Sequence, residues 1–178
     1  MLSGFLLTAP VCPTTHDSVL NAVVKKVQIE VSEFDSDSTC FLSEVATPGI
    51  EISESLFCTV SPGDTTFDDR RSHGAGSRDI VESVIVIVTV WSRILLDPLN
   101  HSARSLTDSS RGLLRFKKQI LRALAGKQLY LDAPTNSVPL LVESLTAVNS
   151  VHSTARRRDD DFSSFSINFR GAFCWDLS

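Results

Sequence analysis

The chemically richest side chains of the chain fall in two short runs. One is Asp68-Asp69-Arg70-Arg71-Ser72-His73, and the other is Arg156-Arg157-Arg158-Asp159-Asp160-Asp161. The first places carboxylates, a hydroxyl and an imidazole close together, the types that nucleophilic hydrolysis uses. Such groups work only when rigid elements hold them in register. This run instead lies within residues 61–79, a stretch with almost no apolar residues and no periodicity, so a long polar surface loop is expected there. The aspartates of the second run could bind a cation in principle. Consecutive side chains of an extended chain point to opposite sides, however, and three adjacent arginines compete for the same carboxylates. A solvated turn is the expectation, with no metal.

Other chemistries fail on spacing. Gly74-Ala75-Gly76 precedes a strand pattern rather than a helix, so it lacks the amide-lined helix start that phosphate needs. No G-x-S-x-G elbow occurs. Cys12, Cys40, Cys58 and Cys174 form no C-x-x-C pair, and His16, His73, His101 and His152 stand apart from them and from each other. The thiols read as reduced and packed like small hydrophobes, which fits assembly in a reducing cytoplasm. The sequence therefore points to a protein without enzymatic activity or cofactor, working through its surfaces. Its interface candidates are Asp68, Asp69, Arg70, Arg71, Arg156, Arg157, Arg158, Asp159, Asp160 and Asp161. In a closed ring of identical subunits one patch must complement a different patch on the neighbour, and opposed charge blocks suit that arrangement. Within one exposed turn the same ions would contribute only about 0–1 kcal/mol each.

The elements that must carry these runs follow from composition and period. The chain has 178 residues, 42% hydrophobic and 21% charged, enough to bury a core as one domain. A net charge of -4, with no concentrated basic face, argues against nucleic acid or an anionic membrane as the main partner. The apolar start lacks a basic leader region, and residues 1–16 read as an N-terminal extension. The apolar run 84–90 is bounded by Glu82 and Arg93, far short of the roughly 20 residues of a membrane helix.

Leu20, Val23, Val24, Val27 and Val31 recur at helical spacing and predict a helix over 18–33. Short strands are expected at 39–45 and 55–60, and a long strand covered on both faces at 80–94. Leu113, Leu114, Lys117, Ile120, Leu121 and Leu124 predict a second helix, with a cap at Thr107 or Asp108 and a left-handed stop at Gly126. Strands at 138–148 and 162–173 close the order. In the latter, Phe165, Ile167, Phe169 and Phe173 alternate with Ser164, Ser166, Asn168 and Arg170. The expected fold is α+β: a mostly antiparallel sheet with helices on one face, in two layers.

This layout resembles a known family. Phe57-Cys58-Thr59-Val60-Ser61-Pro62-Gly63, the loop with Arg70-Arg71-Ser72, and the strand Ser83-Val84-Ile85-Val86-Ile87-Val88-Thr89-Val90 carry the likeness. The second helix, the closing strand and the early helix complete it. Together they resemble the tail-terminator and tail-completion (neck) proteins of long-tailed bacteriophages. The resemblance implies a virion protein assembled in the host cytoplasm. It would form a ring with itself, typically a hexamer, capping the tail tube at its head-proximal end between tube and head-tail connector proteins. It also implies that residues 60–81 reach toward the tube or the connector. A soluble adaptor or a small-ligand-binding α+β domain without catalysis is the competing expectation.

Overall fold

The computed structural model describes residues 16–44, 55–68, 80–93, 112–130, 140–141, 143–156 and 161–175. The first element is α1 (His16–Glu30), which buries Val19, Leu20, Val23, Val24 and Val27 as the valine stripe requires. Asp17 lies in its first turn, where a negative charge complements the helix dipole. The helix ends three residues before the expected boundary. Val31 turns extended (φ -125°, ψ 101°), and a 3-10 turn at Ser32–Phe34 follows. That exit swings Phe34 into the core, where its ring meets Phe116 at 5.3 Å between centroids.

The strands are β1 (Cys40–Leu42), β2 (Leu56–Asp68), β3 (Ile80–Arg93), β4 (Glu143–Arg156) and β5 (Asp161–Trp175), with α2 (Leu113–Leu124) between β3 and β4. They form one five-stranded sheet in the order β1-β2-β3-β5-β4. Among the described residues only the β1–β2 pairing is parallel. Both helices pack on one face, which gives the expected two-layer α+β arrangement. No described helix is long and apolar enough to cross a membrane.

The long strand β3 organises the core. Val84, Val86, Val88 and Val90 are all fully buried toward the helices. Across from them on β5 stand Gly171, Phe169, Ile167 and Phe165. At Gly171 a side chain would meet Leu141 and Leu145 at 3.0–3.2 Å, so these leucines occupy the space a side chain would take. On the opposite face Phe41, Phe57 and Trp91 stack in a row, and the Trp91 indole N–H donates to the Thr59 hydroxyl at 3.2 Å.

Three expectations are corrected. Residues 61–68 are strand rather than loop, because β2 stays paired with β3 as far as Asp68↔Val81. Beyond Val60 this strand has no β1 partner, and residues 64–67 are exposed, so their polar side chains stay hydrated and Pro62 is tolerated at the edge. The first strand of the last third runs over 143–156, not 138–148. In α2 the buried stripe is Leu113, Phe116, Ile120, Ala123 and Leu124, while Leu114 is 57% exposed. Phe116 wins the inward position because Phe34 waits beneath it, and Lys117 turns to the flank. The Gly126 stop stands, at φ 71°. The cap expected at Thr107 or Asp108 lies outside the described residues.

The β2–β3 register shifts between Pro62 and Thr65. A Cβ on Gly63 would sit 2.7 Å from Ile85 Cγ2 and 2.9 Å from Ile85 Cβ. The stem of a β-branched side chain on a central strand cannot step aside. Gly63→Ala should therefore destabilise the chain by about 1–3 kcal/mol, read as a lower urea midpoint with an unchanged slope.

Candidate interaction surfaces

The strand register fixes where the charged runs lie. Asp68 ends β2 opposite Val81, and Val81 in turn faces Cys174 near the end of β5. At the other end of the sheet Arg93 faces Phe162, and Arg156 ends β4 opposite Asp161. Between the two levels β3 runs from Val81 to Arg93, a span of about 40 Å at roughly 3.3 Å per residue. The described strand ends, Asp68 on one side and Arg156 with Asp161 on the other, thus lie at opposite ends of the sheet. Asp69, Arg70 and Arg71, and Arg157, Arg158, Asp159 and Asp160, lie outside the described residues. Arg156 and Asp161 are brought together as a cross-strand pair of the β4–β5 hairpin.

Two features were invisible in the sequence. Cys40 and Cys58, eighteen positions apart, are register partners on parallel strands, both free and fully buried. A hydrogen bond with Cys40 and burial push the Cys58 thiol well above its usual range. A thiol held protonated is a poor nucleophile, and both side chains belong to the buried core. The reading of these two cysteines as packed thiols holds. The second feature is an ionic link within the helix layer. The Arg115 guanidinium meets the Glu33 carboxylate at 2.8 Å and lies over the Phe116 ring. It ties α2 to the turn after α1.

Smaller contacts sit on the outer flanks. Lys117 Nζ donates to Ser150 Oγ of β4 at 2.6 Å, and His152 Nε2 lies 3.1 Å from Ser163 Oγ. On α1, the Lys26 ammonium beside Glu30 holds that carboxyl below its ordinary value. Among the described residues no group of three or more His, Cys, Asp or Glu side chains could hold a metal ion.

β4 is an edge strand with one neighbour, β5. Its first residues are covered: Gly126 N–H donates to Leu145 O, and Leu145 N–H donates to Lys127 O. From Asn149 to Arg156 the pairing with β5 is regular, and residues 149–153 are exposed.

No protein-family model matches the chain, and no curated protein matches its sequence.

Proposed function

We propose that the chain is a structural, ring-forming subunit of a phage tail neck, capping the tail tube and joining it to the head-side connector. The observation that supports this best is the placement of its charged hairpin ends. Asp68 on β2 and Arg156 on β4 stand at opposite ends of one sheet, with β3 and β5 between their strands. A subunit set in a ring with its strands along the ring axis offers one charged tip to each side. That is what a component between a tube and a connector needs. The lateral flanks of the sheet remain for contacts with neighbouring subunits. The virion is then its site of residence, and no cofactor or substrate enters the reading.

The test is charge reversal at one tip. Arg156→Glu, Arg157→Glu and Arg158→Glu together should impair assembly onto tail tubes at least about tenfold while leaving the circular dichroism and melting temperature unchanged. Assembly equal to wild type in negative-stain images would remove the role given to that tip.

A further inference from the structure

The charge of the chain is segregated in a way its net value hides. From Val27 to Asp69 there is no lysine or arginine, and from Ser109 to Leu131 there is no aspartate or glutamate. In the fold, β1 of the first stretch forms one edge of the sheet, while α2 of the second packs on the helix face and reaches β4 at the other edge. The acidic one contributes β1 and the turns around it, where Asp35, Asp37 and Glu44 are exposed. The basic one contributes α2, whose Lys117 reaches over β4 to Ser150 and whose neighbour Lys118 is exposed.

The two flanks also match in height. Leu42 pairs with Val60, Val60 with Val88, Val88 with Ile167, and Ile167 with Ser150. Leu42 on one edge and Ser150 on the other therefore lie at the same level of the sheet. Lys117, bonded to Ser150, shares that level. Direction agrees as well: one parallel and three antiparallel pairings make β1 and β4 run oppositely. Rotation about an axis along the strands preserves both height and direction. It sets β4 of one subunit antiparallel to β1 of the next, with no rise, which is the condition for a closed ring rather than a filament.

We infer that the α2–β4 flank of one subunit docks on the acidic β1 flank of a second copy, with Lys117 and Lys118 facing Asp35 and Glu44 of that copy. Side-chain charge dominates this contact. On β1 the Cys40 N–H already donates to Ser36 O, and its carbonyl accepts from Gln28, so little open backbone is left for a long ladder. Inside the subunit the same chemistry already joins α2 to the acidic stretch through Arg115 and Glu33. The contact between copies repeats it on the other side of the helix. The inference rests on the ring reading and specifies its lateral interface.

The experiment uses the full chain and two double variants, Asp35→Lys/Glu44→Lys and Lys117→Glu/Lys118→Glu. Each alone should raise the concentration for half-assembly by about tenfold or more in mass photometry. Mixed one to one, they should assemble nearly as wild type, because each variant's altered flank suits the other's. Wild-type assembly should also weaken as salt is raised. Variants that assemble like wild type, or a mixture that fails to recover, would overturn the flank pairing while the ring reading stands. A wild-type chain that never leaves the monomer would overturn both.

Discussion

Replacing Phe116 with alanine should lower the unfolding free energy by about 3–5 kcal/mol, the largest loss expected from any single truncation in the helix layer. Phe116 is fully buried and is the residue through which α2 meets Phe34. Phe34 is in turn what the break in α1 at Val31 exists to place. Truncation leaves a cavity beneath a helix already pinned to the sheet by Leu113, Ile120 and Leu124, so collapse cannot refill it. Arg115 also loses the ring under its guanidinium while its bridge to Glu33 persists. Equilibrium urea unfolding checks this. A loss under about 1 kcal/mol would mean that Phe116 is not the joint between the helices.

Val86→Asp should be at least as damaging at neutral pH, costing more than about 3 kcal/mol. Val86 is fully buried on the helix side of β3, between Pro62 of β2 and Phe169 of β5. An aspartate there loses its hydration, which raises its folded pKa above the unfolded value of about 3.9. The sign of the pH dependence follows. Below about pH 3 the group is protonated in both states, and only the polarity and shape of the neutral acid count against folding. As pH rises through the unfolded value, the unfolded chain releases a proton that the folded chain must keep, and stability falls. It falls until the folded pKa is passed and is flat beyond. The deficit relative to wild type, measured by chemical denaturation across pH, should therefore widen from acid toward neutral. A deficit independent of pH would show that the position is hydrated.

How much of this was legible in the sequence depended on which elements have one dry side. The valine stripe of α1, the apolar run of β3 and the Phe/Ile alternation of β5 each carry the period of their buried face, and each element was found. The outer half of β2 and most of β4 are edges, exposed on both faces. Thr65-Thr66-Phe67 and Asn149 to Ser153 thus show no alternation, although the backbone ladder holds them in the sheet. In α2 the choice between Phe116 and Lys117 was decided by a partner eighty positions away. The candidate surfaces divide in the same way. Charge runs are visible as composition, but the separation of Asp68 from Arg156 to opposite ends of the sheet is a product of strand order. So is the shared height of Lys117 and Leu42, which no local pattern encodes.

The central claim is that the chain works as a ring. Mass photometry of the purified full-length protein, with negative-stain imaging of the same sample, tests it most directly. The account predicts one dominant closed species at a fixed multiple of 19.5 kDa, six subunits being expected, with a central opening in the images. A chain that stays at the monomer mass through the micromolar range, or grows into open filaments, would contradict it.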